Sequence, residues 1–410
     1  MRSKSQQMCA AAIWTACLVT EIHFRSASAQ LNFPYKKLAI SDGQLTTPQL
    51  ITKYSYPEET HKVRTADGYV LTVHRIPHTP TEQQADDRPP VLLLHGLLGS
   101  SADWVIAGPH KGLAFVLTDA GYDVWLGNAR GNTYSRRHDY LTTRDKAFWN
   151  FSWHEMGVYD LPAMIDHVLA VSNKPSLYYV GHSMGCTMFF VLTSSLPHYN
   201  SKIRIMFGFA PAAFNSHVKN DLFSIAQFSR VGSEVDSLYN SEFFPNNWMR
   251  GRLVQRFCRD GVPTQGICSS VLFLLGGLNS TQLNTTLLPV IFSNFPAGCS
   301  LKSWIHYGQQ MRSGRFRQYD HGTALNLKHY GTPEPPDYNL AAITAPVSLH
   351  IGDGDPLIPY EDVTKLYRAL PNAVGLFRVP LSTFGHFDFL WGLDANNLLY
   401  DFVISLMKRF

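Results

Sequence analysis

The sequence predicts an α/β fold, in which a mostly parallel sheet is flanked by helices and carries an inserted cap. Short apolar runs alternate with helical patterns up to about residue 212, the alternation stops between about 213 and 339, and it resumes from about 340. With 410 residues and 45% hydrophobic composition, the chain can fill one large core. We therefore expect core segments at 30–212 and 340–410, with a cap and lid inserted at 213–339.

The individual elements follow from local patterns. Asp67 and Gly68 separate two β-prone runs at 61–65 and 69–76, which is typical of a hairpin. Residues 160–170 carry apolar side chains at helical spacing on one face. Further strands are predicted at 91–94, 123–126, 177–180, 203–209, 346–351 and 374–379, and further helices at 186–192 and 397–410.

The segment Gly181-His182-Ser183-Met184-Gly185 lies between a predicted strand and a predicted helix. Side chains at the flanks of so tight a turn would clash, and glycine at both flanks leaves the serine hydroxyl exposed. This context is typical of the nucleophile elbow of an α/β-hydrolase, and it predicts Ser183 as the nucleophile. The alternative is a glycine-rich turn with an ordinary serine. The assignment of Ser183 therefore depends on whether the sequence also offers a base and an orienting acid.

A serine hydroxyl needs a base, and the base needs an orienting acid. In α/β-hydrolases the acid and then the histidine follow the serine along the chain. The strand at 346–351 runs into a glycine-bearing turn with two acids, and we prefer Asp355 over Asp353, although either could simply close the turn. His386 is the only histidine after His350, so it is the candidate base.

The oxyanion formed during ester attack needs backbone N–H donors. One comes from the residue after the nucleophile and one from an earlier loop, which here are Met184 and Leu97. We expect the neighbouring His95 to brace this loop rather than to react.

The N-terminus is typical of a secretory signal. Arg2 and Lys4 precede an apolar run at 8–19, and the small residues at 27–29 suit cleavage, so we assign the signal peptide to 1–29. The apolar run is shorter than the ~20 residues that span a bilayer, which argues against a transmembrane anchor. We expect a secreted protein, with the lysosome as the alternative.

Charge and composition exclude several classes of function. The formal net charge is +4 without a long basic run, so no nucleic-acid partner is indicated. No second cysteine pair or histidine pair lies near Cys258 and Cys268 at metal-ligand spacing, and we expect neither a metal nor an organic cofactor. Asn-x-Ser/Thr sequons at Asn150, Asn279 and Asn284 agree with secretion and are candidate glycosylation sites.

Several segments together resemble the acid lipase family, which includes gastric lipases, lysosomal acid lipase and secreted insect lipases. The resemblance extends from about residue 47 to about 408. It is carried by residues 95–100, 127–138, 148–156, 159–163, 319–322 and 385–391.

This resemblance implies a triacylglycerol lipase that forms an acyl-enzyme on Ser183, with Asp355 and His386 completing the triad. It also implies a disulfide between Cys258 and Cys268, which the residues alone suggest as a short local bridge. The chain departs from the family at Met184, where family members often carry glutamine. Other departures are an extra cysteine at 299, the absence of a family cysteine around 276, and the proline that follows Asp355.

Three functions therefore compete at this stage. The leading one is hydrolysis of acylglycerols by a monomer at a lipid–water interface. The alternatives are a steryl esterase or soluble-ester carboxylesterase on the same site, and a non-catalytic lipid-binding or storage protein that keeps the fold.

Overall fold

The computed structural model describes residues 42–82, 87–220, 225–228, 240–244, 258, 262, 264–277 and 281–410. The predicted signal peptide at 1–29 and the sequon asparagine Asn279 lie outside these residues.

A nine-stranded sheet forms the core of the part that the structure describes. Its strands are β1 Glu59–Arg64, β2 Tyr69–Ile76, β3 Pro90–Leu94, β4 Asp123–Gly127, β5 Arg137–His138, β6 Leu177–His182, β7 Ile203–Phe209, β10 Val347–Ile351 and β11 Ala373–Arg378; β8 Glu242–Phe243 and β9 Cys299–Ser300 form a separate ribbon. The order is β1-β2-β4-β3-β6-β7-β10-β11, with β5 paired to β2. From β4 to β11 all neighbours are parallel, whereas β2 pairs antiparallel with β1, β4 and β5.

The helices cover both faces of this sheet. The α-helices are α1 Thr47–Lys53, α2 Leu113–Asp119, α3 Trp153–Glu155, α4 Leu161–Ser172, α5 Met184–Ser195, α6 Gln265–Gly276, α7 Leu288–Asn294, α8 Leu301–Ser313, α9 Thr323–Tyr330, α10 Tyr360–Ala369, α11 Asp388–Trp391 and α12 Asp401–Met407. Short 3₁₀ helices occupy Asp42–Gln44, Ser101–Trp104, Lys146–Trp149, Pro197–Lys202, Ile225–Phe228, Thr285–Leu287 and Leu340–Ala342, and π-helical turns occupy Met156–Asp160 and Asn396–Tyr400.

The central strands are buried on both faces, because helices cover both sides of a parallel sheet. Every residue of β3, β4, β6 and β10 is buried. This explains why these strands appear in the sequence as continuous apolar runs. The predicted α/β-hydrolase fold with a mostly parallel sheet is confirmed.

The predicted closing helix at 397–410 is shorter than expected. Its first turn is a π-helix, Asn396–Tyr400, and α12 ends at Met407. The predicted helix at 160–170 matches α4, which ends where Asn173 takes a left-handed conformation with φ 52°.

The inserted segment leaves the sheet after β7 and returns to it at β10. These two strands are direct neighbours, with Val347 paired to Met206. Between them lie helices α6 to α9 and the β8–β9 ribbon. Residues Asp42–Phe410 form one compact unit, so the boundaries of a separate cap at 213–339 stay a prediction. No helix in the described ranges has both the length and the apolar character needed to cross a membrane.

Candidate active site

Ser183 stands at the sharp turn between β6 and α5. Its φ of 53° and ψ of −112° are strained for a residue with a side chain. A Cβ atom on Gly185 would lie 2.3 Å from the carbonyl oxygen of Leu94, and one on Gly181 would lie 2.8 Å from the backbone nitrogen of Cys186. The glycines at both flanks are therefore required by the close approach of neighbouring backbone.

The structure brings His386 and Asp355 into direct contact. Nδ1 of His386 lies 2.7 Å from Oδ2 of Asp355. The second carboxylate oxygen, Oδ1, accepts from the backbone N–H groups of Leu357 at 2.8 Å and Ile358 at 3.2 Å. Both oxygens of this buried acid are therefore held, and the acid fixes the orientation of the imidazole ring.

Asp353, the competing acid of the same turn, has different surroundings. Its side chain is 38% exposed, and Oδ1 lies 3.5 Å from Nη1 of Arg378 at the surface. Of the two candidate acids, only Asp355 contacts the histidine in the described structure.

Ser183 and His386 line the same cavity. Leu97 and Leu98 contribute to its wall from the loop that follows β3. Most of the remaining lining is apolar, including Ala212, Val218, Phe295, Met311, Leu357, Ile358, Phe387 and Leu390. The apolar walls suit a ligand with hydrocarbon chains.

The loop that follows β3 lies directly against the elbow. A Cβ atom on Gly96 would lie 3.0 Å from Nδ1 of His182 and 3.2 Å from Cβ of Ser183. Met184 is the first residue of α5, and an N–H at that position has no acceptor within the helix. The two candidate donors therefore belong to the segments next to the serine, Met184 to the helix that it starts and Leu97 to the loop against the elbow.

His95 braces this loop, as expected. Nδ1 lies 2.8 Å from the carbonyl oxygen of Gly96, and Nε2 accepts from the backbone N–H of Ala129 at 3.1 Å. Asn132 Nδ2 lies 3.2 Å from the same Nε2. Burial lowers the pKa of His95 to about 4, so the ring is neutral and keeps one donor and one acceptor.

His182 is a site residue for which the sequence reasoning gave no role. Its Nε2 lies 2.9 Å from the carbonyl oxygen of His386, and the two ring centroids are 4.7 Å apart. Burial, together with the charge of His386, lowers the pKa of His182 well below its usual value. A neutral His182 donates Nε2–H to that carbonyl and so holds the backbone of the candidate base. The position of His182 beside the candidate nucleophile was the only sign of a role in the site. Its hydrogen-bond partner, His386, lies far along the chain and could not be inferred from that position.

Comparisons with known proteins identify the family of this chain. A family model described as "alpha/beta hydrolase fold" matches residues 89–393, and one described as "Partial alpha/beta-hydrolase lipase region" matches residues 47–108. Lipase 1 of Drosophila melanogaster is 41% identical over 373 residues, which cover 90% of this chain and 81% of that protein. The chain belongs to the α/β-hydrolase lipases. It is thus a member of a family of ester-hydrolysing enzymes.

Two further relatives of this lipase cover most of its length. Lipase 3 of Drosophila melanogaster is 42% identical over 359 residues, covering 87% of this chain and 91% of that protein. Gastric triacylglycerol lipase of Bos taurus is 37% identical over 371 residues, which cover 90% of this chain and 92% of that protein. A solved structure from Sulfolobus solfataricus covers 87% of this chain and 95% of that one with a TM-score of 0.59, and at 12% identity it supports the fold alone.

The lipase carries a disulfide between Cys258 and Cys268, the pair that the resemblance implies. Cys186 and Cys299 are free and buried. Within the described ranges, no cluster of histidine, cysteine and acidic side chains could hold a metal ion.

Two of the three sequon asparagines lie in the described structure. Asn150 is exposed, and its Oδ1 accepts from Nζ of Lys302 at 2.9 Å. Asn284 accepts from the backbone N–H of Thr286 at 3.1 Å at the start of a 3₁₀ helix. In both asparagines the side-chain amide oxygen accepts a hydrogen bond. Glycosylation at Asn150, Asn279 and Asn284 stays a prediction.

Proposed function

We propose that this lipase hydrolyses the carboxylic ester bonds of triacylglycerol through a triad of Ser183, His386 and Asp355. The observation that carries the proposal is the 2.7 Å contact between Asp355 and His386, because His386 lines the same cavity as Ser183. The order of the three residues along the chain is that of α/β-hydrolases.

In the proposed reaction the Oγ atom of Ser183 attacks the ester carbonyl carbon. Nε2 of His386 takes the serine proton and gives it to the departing alkoxide, which leaves as the alcohol. Asp355 holds the ring in the tautomer that makes this transfer possible. Water, activated by the same histidine, then attacks the acyl-serine, releases the fatty acid and restores the hydroxyl group.

The backbone N–H groups of Leu97 and Met184 stabilise the oxyanion in both steps. Such donors are fixed before the reaction, and losing one typically costs about 3–4 kcal/mol of transition-state stabilisation. Because the donors belong to the backbone, methionine at 184 leaves the oxyanion site intact while its side chain can change the neighbouring acyl site.

The substrate assignment depends on the cavity and on the relatives. The walls are mostly apolar, and one relative is named a gastric triacylglycerol lipase. We propose that the inserted segment at 213–339 acts as a lid at a lipid–water interface and that the enzyme acts as a monomer. The buried disulfide cysteine Cys258 fits an oxidising compartment, so we propose a secreted enzyme, with the lysosome as the alternative.

The test compares wild type with Ser183→Ala on emulsified trioleoylglycerol, cholesteryl oleate and a soluble butyrate ester. We expect the variant to lose at least ~10⁴-fold in kcat on every ester, and wild type to prefer the emulsified triacylglycerol. Ser405→Ala, which removes a hydroxyl at the exposed end of the chain, is the matched control. Equal rates for wild type and Ser183→Ala would contradict the triad, and turnover of the soluble ester alone would contradict the lipid substrate.

A further inference from the structure

Asp103 is a buried carboxyl group on the wall of the active-site cavity, and the mechanism above does not use it. It lies in the 3₁₀ helix Ser101–Trp104, directly after the loop that carries Leu97, and only 1% of it is exposed. It lines the same cavity as Ser183 and His386.

The carboxyl group has few partners. Oδ2 accepts from the backbone N–H of Ser100 at 3.2 Å. Within the part of the chain that the structure describes, Oδ1 is buried without a hydrogen-bond partner. Asp355, by contrast, has hydrogen-bond partners for both carboxylate oxygens, namely His386 and two backbone N–H groups.

In the described part of the chain, the 3₁₀ helix that carries Asp103 packs mainly against β3, β4, α7 and α11. None of these four elements contains lysine or arginine. The titratable groups on these elements and on the adjoining loop and cavity walls are Asp123, Asp388, His95, His182, His386 and Tyr307. Asp123 is paired with Arg75 at 2.8 Å. His95 and His182 are neutral, because burial lowers the pKa of both.

A buried carboxyl group with one N–H donor and no cation favours its neutral form, since charge is costly away from water. Burial accordingly raises the pKa of Asp103 to about 7, although the N–H of Ser100 acts in the opposite direction. The group therefore stays protonated over the acid range and loses its proton near neutrality.

The same group is tied to the loop that carries the oxyanion donor. A Cβ atom on Gly99 would lie 2.2 Å from Oδ2 of Asp103, so the loop passes directly over the carboxyl group. The backbone carbonyl of Asp103 accepts from Nε1 of Trp391 at 3.2 Å. This second contact joins the loop to α11, the helix that follows His386.

We propose that protonated Asp103 is a positioning residue for the oxyanion loop, and that its ionisation slows acyl transfer to Ser183. A negative charge on Asp103 would share the apolar cavity with the oxyanion at Leu97 and Met184. Like charges repel strongly where water is excluded, so ionised Asp103 raises the energy of the transition state. This inference rests on the proposed function of Ser183.

The first test is the pH profile of kcat/KM on a soluble butyrate ester between pH 5 and 9. We expect wild type to lose activity by about tenfold per pH unit above the pKa of Asp103. Asp103→Asn keeps an acceptor for the N–H of Ser100 and cannot ionise. We expect it to match wild type at pH 5 within about twofold and to exceed it about tenfold at pH 8.

The second test does not depend on catalysis. The folded-state pKa of about 7 lies above the unfolded value of about 3.9, so the folded state binds more protons between these two values. Stability contributed by this group therefore falls as pH rises from about 4 to about 7, and it does not fall in Asp103→Asn. We expect the Tm of the variant to exceed that of wild type by a margin that grows over this range and then stays constant.

Control variants distinguish a positioning role of Asp103 from an effect on folding alone. Asp401→Asn makes the same charge change at an exposed site and should follow wild type in both tests. Asp103→Ser, which is also uncharged, repeats the tests if Asp103→Asn fails to fold. An alkaline limb that survives in these variants, or a Tm difference independent of pH, would overturn the inference. If Ser183→Ala proved fully active, the proposed triad would fail, whereas the Tm test of Asp103 would still decide its ionisation.

Discussion

Two clusters of buried polar side chains lie on this sheet, and they differ in how charge is balanced. In the first, the guanidinium group of Arg130 lies between Asp160 and Asp67, with contacts of 2.7 Å to Asp160 and 2.6 Å to Asp67. The same group stacks 3.9 Å from the ring centroid of Tyr69. In the second, beyond the carboxyl ends of β6, β10 and β11, Ser183 and His386 line a cavity, and Asp355 contacts His386 at 2.7 Å.

This difference in charge pairing suggests that the Arg130 cluster stabilises the fold and that the cluster around Ser183 carries the chemistry. Every charge around Arg130 has a partner of opposite sign, and the group touches no cavity wall that Ser183 shares. The cavity cluster instead places Ser183 on strained backbone in the wall of a cavity that His386 also lines. We therefore expect changes at the first cluster to affect unfolding, and changes at the second to affect turnover.

The largest expected effect is on turnover in Asp355→Asn. The amide would favour the wrong tautomer of His386, and the corresponding change in another Ser-His-Asp enzyme lowers kcat by about 10⁴. Tm should change little, because the side chain keeps its shape. The matched control is Asp353→Asn, which alters the exposed acid of the same turn. If Asp353→Asn lost as much kcat as Asp355→Asn, the assignment of Asp355 as the triad acid would be wrong.

The next effect is on unfolding in Arg130→Met. Removing the guanidinium group leaves Asp160 fully buried without its cation, which typically costs 3–5 kcal/mol. We expect this loss in the free energy of unfolding, measured by denaturant titration, with kcat of the folded fraction unchanged. Arg315→Met removes an exposed ion pair and should cost about 0–1 kcal/mol. A normal unfolding curve for Arg130→Met would show that the cluster is not structural.

A smaller effect is expected in Gly96→Ala. The added methyl group would lie 3.0 Å from Nδ1 of His182 and 3.2 Å from Cβ of Ser183, so the loop and the elbow have to separate by a few tenths of an ångström. Displacing a catalytic group by about 1 Å can cost 10²-fold, and for this smaller shift we expect a loss of up to about 10-fold in kcat. Gly266→Ala is the control, because nothing lies within 4 Å of its added Cβ. Full activity of Gly96→Ala would contradict the placement of the oxyanion donor at Leu97.

Much of the fold could be predicted because the central strands are short, apolar and buried on both faces. The nucleophile and the base could be chosen for local reasons, namely the two glycines around Ser183 and the scarcity of late histidines. The sequence favours Asp355 over Asp353 only by the shape of the turn, and either acid could instead simply close that turn. It is the contact with His386 that distinguishes the two.

Other features could not be predicted from one sequence, because they depend on long-range packing. The hydrogen bond from His182 to the backbone of His386 joins two distant segments. The burial of Asp103 depends on α11 and on the loop before it, and an aspartate three residues after Ser100 would ordinarily be taken as an exposed helix cap. The π-helical start of the closing helix also has no clear signal in its residues.

The adjacency of β7 and β10 has a consequence for engineering and for evolution. The two points where the inserted segment joins the sheet are held by backbone hydrogen bonds, Met206 N–H to Pro346 and Ala210 N–H to His350, each at 2.9 Å. Since the paired parallel strands fix the spacing of these junctions, any segment that replaces the native one has to match their end-to-end span. The native segment also supplies Phe295, Tyr307 and Met311 to the cavity that Ser183 lines, so such an exchange would rebuild one wall of the site.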